Sequence, residues 1–262
     1  MLPKIGIIGI GFVGRAVKAS LEVIADIAIV DSNPALNEHT YDDLMECEAI
    51  FVCVPSPQGE DGVCDASILQ DVLAKLKGYT GTIISKTTAP PGVYKELGYL
   101  YPNLVHVPEF LTAANAKRDY LNGTFAIIGG TVRAYMNEAE RFVTLTQPNT
   151  VNDIFFCSLE EASLAKYAIN TFLATKVVFM NELHKLAEAV GADFDHVATA
   201  MTKDPRIGKS HHRVPGTDGF GFSGMCFPKD TAALLQHAKV YGIDMTVLDT
   251  AVRTNKVLRN EV

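Results

Sequence analysis

The sequence predicts an α/β protein, a doubly wound parallel sheet followed by an all-α domain, joined by a long connecting helix. Three observations predict it. Short apolar runs alternate with helical patterns up to about residue 157. A glycine turn, Gly9-Ile-Gly11-Phe-Val-Gly14, directly follows the first apolar run. After residue 157 the strand patterns cease and one long helical pattern takes over. The expected domains are therefore 1–157 and 158–262, with the long helix over about 159–190.

The elements follow in order. Residues 4–10 are almost wholly apolar and read as a buried parallel strand, with a helix over about 13–23 after the turn. Ile27–Val30 reads as a second strand ending at Asp31, and Ala49–Val54 as a third, closed by Pro55-Ser-Pro57. Apolar residues at 68, 69, 72, 73 and 76 predict a helix over 68–76. Gly81–Ser85, Leu104–Val107 and Phe125–Ile128 read as three more strands. Ser158-Leu-Glu-Glu161 is a capping-box pattern that starts the long helix, and Gly191 is its stop. Two further helices are expected over about 230–241 and 246–260.

Composition narrows the function classes. The chain has 262 residues, 48% hydrophobic and 20% charged, with a net charge of −7. That balance argues against nucleic acid as a partner, and an anionic ligand must be met by local basic residues. The apolar runs are far shorter than the roughly 20 residues of a membrane span. Met1-Leu-Pro-Lys leads straight into a strand, and the five cysteines (47, 53, 64, 157, 226) show neither metal-ligand nor disulfide spacing. The expectation is a cytoplasmic protein with no metal and no membrane partner.

The glycine turn has a strand before it, a helix after it, and an acidic residue at the end of the next strand. This is the context of a Rossmann-type dinucleotide site. Gly9 permits the tight turn, Gly11 lets a pyrophosphate reach the backbone, and Gly14 allows close helix–strand packing. Asp31 lies 22 residues after Gly9, where it can bind the ribose hydroxyls and repel a 2′-phosphate, so NAD is expected over NADP. The second chemical signal is Gly219-Phe-Gly-Phe-Ser-Gly-Met-Cys226-Phe-Pro-Lys-Asp230. Its glycines permit close backbone approach, and Lys229 favours a thiolate, so Cys226 is a candidate nucleophile; the alternative is a small buried hydrophobe. Lys166 and Asn170 are four residues apart, on one face of the long helix. The lysine, amid apolar neighbours, either snorkels to solvent or is desolvated for a task. Arg206, Lys209, His211, His212 and Arg213 form a basic stretch that either anchors an anionic substrate or is a solvated loop.

In these blocks the chain resembles the UDP-glucose/GDP-mannose dehydrogenase family over essentially its whole length. The matching segments, in order, are Gly9–Gly14, Val54-Pro-Ser-Pro57 with Asp61-Gly and Asp65, and Lys86-Thr-Thr-Ala-Pro-Pro-Gly92. Then come Pro108-Glu-Phe-Leu111, Glu161 with Lys166 and Asn170, Asn181-Glu-Leu183, Asp204-Pro-Arg-Ile-Gly208, and Gly221–Asp230. The Asp-Pro-Arg-Ile-Gly block is more similar to the UDP-glucose branch.

The resemblance implies NAD as cofactor, a UDP-sugar (UDP-glucose first) as substrate, and a homodimer formed through the long helix. It implies that Cys226 attacks the aldehyde made by a first oxidation, a second oxidation gives a thioester, and water releases the acid. Lys166 would stabilise the oxyanion with Asn170 beside it. Asp230 would activate water or hold Lys166, while Glu109 and Thr88 would place the hydrolytic water. Cofactor contacts would come from Gly9, Ile10, Gly11, Phe12, Val13, Gly14, Asp31, Val54, Pro55, Ser56, Thr88 and Lys229. Substrate contacts would come from Glu109, Phe110, Leu111, Lys166, Asn170, Arg206, Phe222 and Gly224, with Arg206 reaching in from a neighbouring subunit.

Three departures stand out. Ala113 replaces the family's usual glutamate, and Ser223-Gly-Met-Cys226 replaces Gly-Gly-Ser-Cys. The numbering ends at Val262, where the family continues into a second domain for the substrate nucleotide. The expectation is a short form, with a truncation or a partner chain as alternatives. Two rival functions remain: a simpler NAD-dependent hydroxyacid dehydrogenase, which needs no thiol, and a non-catalytic NAD-binding subunit of a partner.

Overall fold

A computed structural model of the chain describes residues 2–59, 61–112, 115–150 and 153–261. The chain divides into two compact units, Met1–Pro57 with Cys64–Lys166, and Gln58–Val63 with Tyr167–Val262.

The first unit is built on seven strands: β1 (Lys4–Ile8), β2 (Asp26–Val30), β3 (Ala49–Val52), β4 (Thr82–Ser85), β5 (Leu104–His106), β6 (Ala126–Gly130) and β7 (Ile154–Cys157). Their order in the sheet is β2-β1-β3-β4-β5-β6-β7. The helices are α1 (Phe12–Leu21), α2 (Tyr41–Leu44), α3 (Ser67–Lys75), α4 (Pro91–Leu100), α5 (Ala116–Leu121), α6 (Arg133–Thr146) and the start of α7 (Leu159–Val190). Alternate strand residues serve opposite faces, as the two-residue period of a strand requires. Phe51 of β3 joins α1, α5 and α6 in one core through Val17, Tyr120 and Phe142. Its neighbours Ile50 and Val52 join α2, α3 and α4 in the other through Leu44, Leu69 and Tyr94. The sheet is therefore covered on both faces, which explains the nearly continuous apolar strands.

One pairing departs from the expected all-parallel sheet: β6 runs antiparallel to β5, while β7 is parallel to β6. Among the described residues, the connection from β5 carries the six-residue α5, which packs with Ala116 and Tyr120 on the α1 face. It does not bring the chain back to the starting edge, so β6 enters where β5 leaves.

Helix α7 is 32 residues long, about 48 Å at 1.5 Å per residue. Its capping box is formed: Ser158 N–H donates to Glu161 Oε2 at 2.8 Å and Glu161 N–H donates to Ser158 Oγ at 3.2 Å. It ends in a Schellman pair, Ala192 N–H to Ala187 O and Gly191 N–H to Glu188 O, with Gly191 at φ 72°. The two units divide inside this helix, because its first turns belong to the sheet's packing. Leu159 lies in the core with α3 and α4, and Ser163 Oγ donates to Ala89 O at 2.6 Å.

The second unit holds the rest of α7 with α8 (Phe194–Met201), α9 (Phe227–Val240) and α10 (Thr246–Leu258). Met180, Ala187, Phe194, Ala198 and Val214 form one small core, and Ala174, Val178, Phe222 and Ala251 another. Helix α9 starts three residues earlier than the sequence pattern suggests, because Pro228 falls in the first turn, where a missing N–H costs nothing. No helix among the described residues is long and apolar enough to cross a membrane.

Candidate active site

The glycine turn is built by steric necessity. Gly9 sits at φ 90°, and a Cβ there would stand 2.8 Å from Cys53 O. A Cβ on Gly14 would fall 1.9 Å from Gly9 O. Gly11 differs, since nothing lies within 4 Å of where its Cβ would stand. That open space over the first N–H groups of α1 is what a pyrophosphate needs. A cavity of about 510 Å³ borders it, lined by Gly11, Phe12, Arg15, Ala16, Ala116 and Lys117, two of them basic. Asp31 closes the turn, with Oδ2 accepting Ile10 N–H at 2.6 Å and Oδ1 accepting Asn33 N–H at 2.7 Å. Each carboxylate oxygen keeps lone-pair capacity for a ribose hydroxyl. The residues present thus fit NAD. We expect Asp31→Asn to narrow the preference for NAD over NADP by about tenfold or more, as befits loss of charged hydrogen bonds. Titration calorimetry with both nucleotides measures it; an unchanged ratio would remove Asp31 from nucleotide selection.

Beside the turn, the loops after β3 and β4 are tied together. Ser56 Oγ donates to Thr88 O at 2.5 Å, and Thr87 Oγ1 donates to Val54 O at 2.9 Å. Val54 and Thr88 are partly exposed and Pro55 is exposed. Glu109, on the loop after β5, is 8% exposed and accepts Leu111 N–H on Oε2 at 2.8 Å. Lys166 is 3% exposed; its ammonium donates to Glu109 O and lies 3.4 Å from Oε1. It also stands 5.0 Å above the Phe110 ring. Lys166 is therefore desolvated and engaged, not snorkelling.

Sequence reasoning missed Lys86. Its ammonium is 3% exposed and sits 5.4 Å above the Tyr120 ring. Burial pushes its pKa down to about 8, against the opposing charge of Glu109 and with the help of Lys166. A lysine kept buried at such a cost is a candidate functional residue. The signals in the sequence are its place at the end of an apolar strand and at the head of the Lys86–Gly92 segment. Because burial disfavours the ammonium, the unfolded chain holds this proton more tightly than the native one. Below about pH 8 the native protein bears a buried charge; between about 8 and 10.5 the native amine is neutral while the unfolded one is still charged. Stability from this group therefore rises across that window. We expect Lys86→Met to be more stable than the wild type at pH 7, on the order of 2–3 kcal/mol. The difference should shrink from pH 8 upward in thermal melts; a constant difference would contradict the assignment.

In the second unit, Cys226 is half-buried at the N-cap of α9, where the helix dipole favours negative charge. Asp230, 1% exposed, sits one turn on. Its Oδ2 accepts Asn170 Nδ2–H at 2.6 Å, and its Oδ1 accepts Lys229 Nζ–H at 2.5 Å. So Asp230 is held by Asn170 and Lys229, and Lys229 is turned to the carboxylate. Phe222 is buried and Gly224 lies at φ 81°. Arg206 is 86% exposed along its side chain and pairs with Asp204. Ala113 lies outside the described residues. Burial pushes the thiols of Cys47, Cys53 and Cys157 up to about 11, 12 and 11, so they are poor nucleophiles near neutral pH. Among the described residues no group of three or more His, Cys, Asp or Glu could hold a metal.

Two family models match. Residues 32–144 match the UDP-glucose/GDP-mannose dehydrogenase family's NAD binding domain, and residues 160–257 match its central domain. The chain belongs to this family. Among curated relatives, it is 34% identical over 225 residues to the UDP-glucose 6-dehydrogenase TuaD of Bacillus subtilis (strain 168), over 81% of this chain and 47% of that protein. The chain thus spans about half the length of the curated relatives it matches. Among solved structures, a UDP-glucose dehydrogenase from Pyrobaculum islandicum superposes with a TM-score of 0.85 at 23% identity, over 98% of this chain and 68% of that one. A 3-hydroxyisobutyrate dehydrogenase from Mycobacterium tuberculosis superposes with a TM-score of 0.74 at 16% identity, over 96% and 91%. At these identities the superpositions speak for the fold, and the sequence matches carry the family.

Proposed function

We propose that this chain forms the core of an NAD-dependent sugar-nucleotide dehydrogenase that oxidises C6 of UDP-glucose from alcohol to carboxylate through a Cys226 thioester. The observation that carries the reading is Cys226 at the head of α9 with Asp230 locked one turn on by Asn170 and Lys229. NAD, when bound, accepts a hydride in each of the two oxidations. The Cys226 thiolate adds to the C6 aldehyde, forming a C–S bond and an oxyanion. Lys166 is the donor for that oxyanion, and its burial makes its charge effective there. Loss of hydride from the thiohemiacetal leaves the thioester on Cys226. Water, deprotonated by Glu109, then cleaves the C–S bond and returns the thiol. Arg206, exposed and basic, is the candidate anchor for the substrate's phosphates.

We further propose a cytoplasmic homodimer. Phe172, Phe179 and Leu186 recur every seventh residue along α7 and are 69%, 55% and 58% exposed, an apolar stripe suited to a second copy.

The test is NADH release by the purified protein against UDP- and GDP-sugars. UDP-glucose should give two NADH per acid formed. Turnover of GDP-mannose alone would move the substrate; NAD binding without turnover of any sugar would leave the reading of a partner's NAD-binding subunit.

A further inference from the structure

The loop that delivers Cys226 is gripped upstream by side chains from α7 and α10. Asn255 of α10, 5% exposed, makes two hydrogen bonds to one residue: Oδ1 accepts Phe222 N–H at 2.6 Å and Nδ2–H donates to Phe222 O at 3.1 Å. That is the pairing a neighbouring strand would offer, supplied by a single amide. Asn181 of α7, 2% exposed, accepts Gly221 N–H on Oδ1 at 3.1 Å, and its own Nδ2–H is fixed on Val177 O at 2.7 Å. Arg259 Nη1–H reaches Phe220 O at 3.2 Å. Three consecutive backbone residues are thus held by three side chains, and the Phe222 ring is buried with Ala174, Val178 and Ala251. Gly221 completes the fit: it lies at φ 74°, and a Cβ there would stand 2.4 Å from Asn255 Oδ1.

Between this grip and the thiol lie only Ser223, Gly224 and Met225. Gly224 is left-handed with open space around it, and Met225 is 73% exposed. Ser223 Oγ donates to Asp218 Oδ2 at 2.8 Å, and Cys226 O accepts Asp230 N–H at 2.8 Å, so α9 holds the thiol's residue from downstream and the fixed Phe222 sets its approach from upstream. A displacement of about 1 Å at a reacting atom can cost about 100-fold in rate.

We propose that Asn255 and Asn181 are positioning residues for Cys226, making α10 part of the thiol's machinery. The proposal rests on Cys226 as the nucleophile, and its test is independent of turnover. The probe is iodoacetamide, with alkylation of Cys226 followed by intact mass and Cys226→Ser confirming the labelled site. Asn255→Leu should alkylate about five- to tenfold faster than the wild type, as loss of two hydrogen bonds frees the loop. Turnover should fall while NAD affinity holds. Asn255→Asp gives the decisive signature. A neutral carboxyl can accept from Phe222 N–H and donate to Phe222 O, as the amide does; a carboxylate cannot donate. Burial raises the pKa of such a carboxyl and the neighbouring Arg259 lowers it, so its alkylation rate relative to wild type should be lowest at the acid end of the accessible range and climb with pH as the carboxyl ionises. A general loosening of the fold would not titrate. If Asn255→Leu does not fold, Arg259→Ala, which leaves both asparagines in place, should show a smaller rise of about twofold. Alkylation equal to wild type in all folded variants, at every pH, overturns the proposal. Faster alkylation with unchanged sugar oxidation would instead sink the thioester reading and keep the grip.

Discussion

Cys226→Ser should lower the net four-electron oxidation by more than about 10³-fold while NAD binds as before. A serine hydroxyl at neutral pH is a poor nucleophile without a dedicated base, whereas a thiol is already partly ionised. Around the head of α9 lie Lys229, Asp230 and Asn170, with the His211 ring 5.4 Å from that of Phe227. NADH counted per acid formed, with calorimetry for NAD, measures both halves. Two NADH per acid at full rate in the serine variant would refute the thioester step; a single NADH per turnover in the wild type would favour the hydroxyacid-dehydrogenase alternative, whose fold the chain also shares.

Gly14→Ala should abolish NAD binding and destabilise the first unit by about 1–3 kcal/mol, the cost of overpacking a tight site. The added methyl would stand 1.9 Å from Gly9 O, a backbone atom that cannot swing away, so the turn itself must open. Gly11→Ala is the informative companion. Its methyl meets nothing in the protein, so thermal stability should hold while NAD binding weakens. Melting curves and NAD titrations on the two variants separate the two roles; wild-type NAD affinity in Gly14→Ala would refute the placement of the cofactor.

Legibility of the fold tracked how local each cause is. The turn at Gly9–Gly14, the Ser158–Glu161 cap and the Gly191 stop are settled by backbone sterics and short-range hydrogen bonds, and a sequence shows them directly. Helix α4 was hidden because Pro90-Pro91-Gly92 reads as a turn, although Pro91 is a helix-starting residue. Helices α2 and α5 are too short for periodicity to register, and α6 and β7 went unread with them. The direction of β6 depends on where α5 packs, which no local pattern states. As candidates, Cys226 and Lys166 were legible from residue type and spacing, and Asp230 and Glu109 from the resemblance of the motifs that carry them. Lys86 was not, because its burial under Tyr120 joins positions far apart in the chain. Asn255 was not either, since a lone asparagine on a helix carries no sign that it will serve a loop 33 residues earlier.

The short segment Gln58–Val63 belongs to the second compact unit, although it interrupts the first. Within it Gly59 N–H donates to Val63 O at 2.7 Å, and Asp61 O accepts Gln236 Nε2–H from α9 at 2.9 Å. During synthesis this segment leaves the ribosome long before the helix that will receive it. The helical half therefore waits for a piece made early. Neither unit is a separable module: a single cut at the middle of α7 would strand part of the second unit on the first.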